Sequence, residues 1–228
     1  MPEIEQVPWN YGAGAYYRGL NAPIAVILHR QQGYKSTARQ WALSGYTGAS
    51  WHYTVGLDGS IMKHLSHSDG GFHAGINHEV TGIPTWPLWK GSSPNVNLYT
   101  IGVECEGFEG GEWPRDQLAS LKWLCERLAS ELHIPYDREH FPPHADINIR
   151  DRVNDFDTPE RRHIVYDYLF GEEDMADPRL DAVIAALGGM AEIEAWNAKG
   201  NSLLLGYALE QEKLDTHLAA PHGTAVKG

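Results

Sequence analysis

The chain has 228 residues, 42% hydrophobic and 21% charged, a composition that excludes an intrinsically disordered protein and fits one well-cored domain with an appendage. Its 18 Lys and Arg stand against 30 Asp and Glu, a formal net charge of -12, which excludes nucleic-acid binding by general phosphate neutralisation and leaves attraction to an anionic surface to local, specific contacts. No apolar run approaches the roughly 18 residues of a membrane span, so membrane insertion is not expected. Residues 1–10 carry neither a basic nor an apolar leader segment, which predicts synthesis without a signal peptide.

In chain order, Ala22 to His29 contains the run Ile24-Ala25-Val26-Ile27-Leu28, which reads as a buried central strand ending on a histidine. Ser36 is placed to cap a helix over Thr37 to Leu43. Trp51 to Val55 and Ile61 to Leu65 flank Asp58-Gly59 and predict a hairpin. Residues 66–97 are rich in Gly, Pro, Ser, His and Asn without periodicity, and Phe72, Trp86 and Trp89 mark them as a gripping loop. Leu98 to Cys105 predicts a second buried strand. Pro114 to His133 carries Leu118, Leu121, Leu124, Cys125, Leu128 and Leu132 at helical spacing. Pro159 opens another helix, with Ile164, Val165, Tyr168 and Leu169 inward. Cys105 and Cys125 lie in no metal-type spacing and read as buried thiols. Residues 178–220, rich in Ala and Leu, read as a helical tail. Strands interleaved with helices predict an α/β fold: a mixed central β-sheet flanked by helices, with a helical C-terminal tail.

Of twelve histidines, two stand out by position. His29 closes a buried strand, and His144 follows Pro142-Pro143 ahead of a carboxylate-rich stretch. Two imidazoles plus one carboxylate, with a fourth position left to water, form the ligand set of a hydrolytic zinc site. Glu104 and Glu106 lie two apart on the second buried strand and so share a face. A solvent-facing pair at the strand's end is one reading; the other is that Glu104 faces a cleft and moves a proton.

Taken together, Ile27-Leu28-His29, Trp51-His52-Tyr53-Thr54-Val55 with Asp58-Gly59, Phe72-His73-Ala74-Gly75, Asn97 ahead of Thr100-Ile101-Gly102-Val103-Glu104, and His144-Ala145-Asp146-Ile147 resemble the zinc-dependent N-acetylmuramoyl-L-alanine amidases, the amidase-2 family related to the peptidoglycan recognition proteins. The resemblance runs from about residue 20 to 170 and implies a zinc amidase domain, bounded at residues 1–171; the helical pattern of residues 172–228 reads separately as an oligomerisation or wall-binding element. The resemblance implies His29 and His144 as zinc ligands and Glu104 as the acid that assists the catalytic water. It places His73 and Asn97 along the substrate cleft. Trp51 falls where some phage members carry an active-site Tyr, a hydroxyl that a Trp cannot supply. For the third ligand, matching the basic-then-Asp run Arg152-Val153-Asn154-Asp155 selects Asp155, and matching the residue nearest Pro159 selects Asp157; Asp157 is preferred. Arg152 is then the cation that stabilises the oxyanion.

The expected activity is hydrolysis of the bond between N-acetylmuramic acid and the L-alanine of the peptidoglycan stem, by a phage endolysin that waits in the host cytoplasm until a holin releases it. A non-catalytic peptidoglycan-binding module and a cytoplasmic amidase recycling wall fragments are the competing readings. The tail would supply any homo-oligomer.

Overall fold

The computed structural model describes residues 2–10, 15–76 and 81–171; the expected helical tail, with any oligomerisation or wall binding through it, lies outside the described residues. A five-stranded sheet has the order β1 (Ile4–Gln6), β5 (Ile61–Lys63), β4 (Tyr53–Val55), β7 (Thr100–Cys105), β3 (Ala25–Arg30). β3 and β4 both run parallel to β7, β4 pairs antiparallel with β5, and β5 runs parallel to β1, so the sheet is mixed as expected. β2 (Tyr16–Tyr17) and β6 (Gly70–Gly71) form a separate antiparallel pair.

All six residues of β3 are buried, as a parallel strand covered on both faces must be. Val26 and Leu28 join Val103, Val55 and Ile61 in a core under α2 (Arg115–Leu132) and α3 (Pro159–Phe170). The apolar stripe of α2, from Leu118 to Leu128, supplies the helical half of that core. Ala25 and Ile27 point the other way, into a cluster with Ala74, Trp86, Tyr99 and Ile147. On that face α1 (Lys35–Ser44) buries only Ala38 and Ala42, against Met62 and Trp9.

Several local details depart from expectation. Ser36 lies inside α1; the exposed N–H of Lys35 is satisfied instead by Glu106, whose other carboxylate oxygen accepts from Leu57 N–H, both at 2.8 Å. Trp86 is 3% exposed, stacks on Tyr99 and donates its indole N–H to Glu139 O, so it builds the core rather than gripping a ligand. The N-terminal β1 carries no sequence signal of its own, yet Val7 and Trp9 continue along β5 and bury beside Trp51. The Asp58-Gly59 turn forms as expected, and Gly59 is required there: its φ is 74°, and a Cβ would come within 2.7 Å of Asp116 O.

Two buried histidines tie this framework together. The His52 ring bridges β7 and the start of β6, with Nε2 donating to Asp69 O at 2.8 Å and Nδ1 accepting from Gly102 N–H at 3.0 Å. His64 donates from Nδ1 to Val7 O, and its Nε2 meets the Thr54 hydroxyl, which also accepts from the Trp51 indole. Burial pushes His52 down to about 3 and His64 down to about 4, so both stay neutral in the fold. Below about pH 6.5 the unfolded imidazoles bind protons that the folded ones refuse, so stability is full above that pH and is lost as pH falls toward the folded values. We expect urea denaturation under chelator to show a loss of about 2 kcal/mol per imidazole between about pH 7.5 and about pH 5. An unchanged unfolding free energy would contradict the neutral-strut assignment.

Candidate metal centre and active-site cleft

The outer edge of β3 assembles the site. Its outward N–H groups at Val26 and Leu28 donate to His140 O and Pro142 O, at 2.8 and 3.0 Å, which draws the segment ahead of His144 alongside the strand. An isolated parallel bridge joins Leu28 to Pro143. The next outward donor, Arg30 N–H, takes the Asp155 Oδ1 at 2.8 Å. One strand edge therefore sets both the His144 turn and the Asp155 carboxylate. His29, one residue back from Arg30, projects from the cleft face between them.

The result is a buried cluster of His29, His144 and Asp155 whose potential ligand atoms all lie within 4.8 Å of one another. Asp155 Oδ2 is 2.8 Å from His144 Nδ1 and 3.5 Å from His29 Nδ1. Tetrahedral zinc with bonds of ~2.0–2.1 Å separates its ligand atoms by roughly 3.3 Å, so a small closure would seat the ion. Glu104 is the register partner of His29 across β3 and β7, with Oε1 3.9 Å from His29 Nδ1. Its Oε2 is buried and has no hydrogen-bond partner among the described residues. Two imidazoles, one buried carboxylate and an adjacent unpartnered carboxyl oxygen fit a hydrolytic metal centre.

The electrostatics separate the two acids. Burial would raise the Asp155 carboxyl, but the His144 hydrogen bond and the two neighbouring imidazoles hold it well below the usual carboxylate range. Burial, reinforced by the neighbouring Asp155, pushes Glu104 well above that range, with Arg152 opposing. Burial lowers His29 to about 4, and His144 adds to the effect. The two carboxyls are thus pushed in opposite directions, Asp155 toward its ionised form and Glu104 toward its protonated one.

Asp157 does not join this cluster. It is fully buried at a φ of 86°, and its Oδ2 accepts from the Trp113 indole at 2.6 Å and from Arg161 Nε at 3.0 Å. Its Oδ1 takes the N–H of Gly110 and Thr158. Its place beside Pro159 makes it a structural anchor that pins the start of α3 to the loop before α2.

A cleft of about 790 Å³ opens over the cluster. Arg152 lines it from an exposed position, and Asn97 and His73 line it too. Asn97 Oδ1 accepts the backbone N–H of His73 and Ala74, and so shapes the loop. Trp51 reaches the wall but is 3% exposed, packed edge-on to Trp9 with its indole N–H spent on Thr54. Sequence reasoning missed the aromatic rim. Tyr34 and Phe108 meet edge-to-face at 5.4 Å, and Trp41 and Tyr46 stack at 4.4 Å; all four line the cleft. The available signal was that α1 fully buries only Ala38 and Ala42, so Trp41, half-buried against the same cluster, keeps a face toward the cleft.

Residues 19–160 match the Amidase_2 family, described as N-acetylmuramoyl-L-alanine amidase. The match spans more than half of the chain, which therefore belongs to the N-acetylmuramoyl-L-alanine amidase family, hydrolases of an amide bond in peptidoglycan. A mutant endolysin from Bacillus subtilis shares the fold at 22% identity and a TM-score of 0.53, over 74% of this chain and 97% of that one. The catalytic domain of XlyA does so at 23% and 0.51, over 73% and 96%. A selenomethionine AmpD derivative does so at 16% and 0.53, over 74% and 95%. No curated protein matches the chain.

Replacing Asp157 by Ala strands the Trp113 indole and removes the ion pair of Arg161, whose Nη2 keeps Gly111 O. We expect Asp157→Ala to lose about 3–5 kcal/mol in urea denaturation, the cost of breaking a buried charge pair. The fraction that stays folded should titrate zinc as the parent does. Full stability combined with lost zinc would reverse the assignment of the two aspartates.

Proposed function

We propose that the chain hydrolyses the amide bond between the lactyl group of N-acetylmuramic acid and L-alanine, with one zinc ion held by His29, His144 and Asp155. The observation that carries this reading is the convergence of those three groups beside the unpartnered Glu104 oxygen at the floor of an open cleft. Zinc bound there would polarise the lactyl carbonyl and lower the pKa of water. Glu104, once ionised, accepts the proton of the attacking water and delivers it to the departing L-alanine amine. Its position one strand from His29 sets that carboxylate beside the three groups that would hold the metal. Arg152, exposed at the cleft's rim, offsets the tetrahedral oxyanion. Tyr34, Phe108 and Phe72 offer faces for sugar rings and stem-peptide side chains.

We further infer that the substrate is the intact wall and that the biological setting is phage-driven host lysis, with the protein held in the host cytoplasm until release. A cleft of about 790 Å³ accommodates several residues of glycan and peptide, whether in wall polymer or in a soluble fragment, so the wall assay below decides between them.

The test is a matched set of variants. His29→Ala and Asp155→Ala are expected to lose both zinc and wall clearance. Glu104→Gln should keep zinc and lose about 10²–10⁴-fold in rate. Retention of metal and activity by both His29→Ala and Asp155→Ala would overturn the metal reading. Release of peptide from soluble muropeptides without turbidity clearance of walls would replace lysis by fragment recycling.

A further inference from the structure

The relay of hydrogen bonds behind His29 has a fixed direction. It ends on Val96 O, a backbone carbonyl that can only accept, so the Thr100 hydroxyl 2.8 Å away must donate to it. Thr100 Oγ1 therefore accepts from His73 Nε2, 3.4 Å away, and that nitrogen carries the ring's proton. The other ring nitrogen, His73 Nδ1, is then bare, and it lies 3.1 Å from His29 Nε2. A bare nitrogen at that distance needs a donor, so His29 carries its proton on Nε2. This leaves the lone pair of His29 Nδ1 facing Asp155 Oδ2 at 3.5 Å, two acceptors turned toward one point.

Resting on the metal reading above, we propose that His73 is a positioning residue: by accepting the Nε2–H of His29 it fixes the tautomer and ring orientation that present His29 Nδ1 to the metal. The surroundings of His73 are built for this seat. Its ring lies over Gly102, where a Cβ would come within 2.6 Å of the imidazole Cγ. Gly102 is the register partner of Ile27 and stands two residues before Glu104, so the bare glycine makes the ring-sized gap on the cleft face. Asn97 holds the His73 and Ala74 N–H groups and fixes the loop at that height. His29 and His73 meet edge-to-face at 86°, the attitude that aims one ring's N–H at the other's lone pair. The partner of a metal-bound imidazole's second nitrogen tunes affinity through this kind of bond.

The experiment measures zinc affinity by chelator competition, together with the ¹⁵N spectrum of the imidazoles in the zinc-free full chain. The parent should show His29 protonated on Nε2. His73→Ala should mix the tautomers and weaken zinc by roughly 10–100-fold. His73→Asn, which returns an acceptor oxygen to the place of Nδ1, should restore most of the affinity. Thr100→Val leaves His73 in place and removes the hydroxyl that accepts from it, keeping only the residue-100 backbone nearby; it should lower affinity by a smaller factor, and it serves if His73→Ala does not fold. Unchanged affinity and an unchanged His29 tautomer in His73→Ala or Thr100→Val would overturn the proposal and return His73 to a substrate-contact role. Failure of the parent itself to bind zinc would instead sink the metal reading, while the zinc-free tautomer would still decide what His73 does.

Discussion

His29 and Glu104 are partners in the parallel register of β3 and β7, so their side chains leave the same face of the sheet at the same height. A slip of one residue in that pairing would turn one of them into the apolar core beneath α2. The register is fixed by what surrounds it: Val26, Leu28, Ile101 and Val103 must face that core, and Ala25 and Ile27 must face the other cluster. Placement of the reacting groups is therefore a by-product of hydrophobic burial on both faces of one pair of strands. The remaining two groups come from the free edge of β3, whose successive outward N–H groups receive the His140 and Pro142 carbonyls and then the Asp155 carboxylate.

Much of this architecture was legible in the sequence because it rests on periodicity. The β3 run, the β7 run, the stripe of α2 and the Asp-Gly turn each carry a local pattern, and each forms where expected. The α1 start was misread for a local reason, since its exposed N–H is satisfied by Glu106 from another strand rather than by Ser36. The N-terminal segment was silent because β1 is a three-residue edge strand that gains its order from β5 and from Trp9 burial. Composition placed Trp86 in a binding loop, whereas its stacking on Tyr99 is a tertiary fact.

The choice between Asp155 and Asp157 shows where local reasoning stops. Both aspartates are buried and both accept several hydrogen bonds. What separates them is the identity of their neighbours. Asp155 faces two imidazoles and a strand-edge N–H, while Asp157 faces an indole, a guanidinium and two loop N–H groups. No spacing rule encodes that difference, because the donors come from residues 30, 113 and 161 as well as from the neighbouring chain. The same holds for His73, whose part in orienting His29 emerges only when the relay is followed to a carbonyl that cannot donate.

The central claim is that one zinc ion sits between His29, His144 and Asp155. The most direct test is an anomalous difference map from crystals of the zinc-loaded chain, recorded at the zinc edge. The account predicts one peak within ~2.0–2.2 Å of a nitrogen of each histidine and of an Asp155 oxygen. A peak bonded to Asp157, or none between the two histidines, would contradict it.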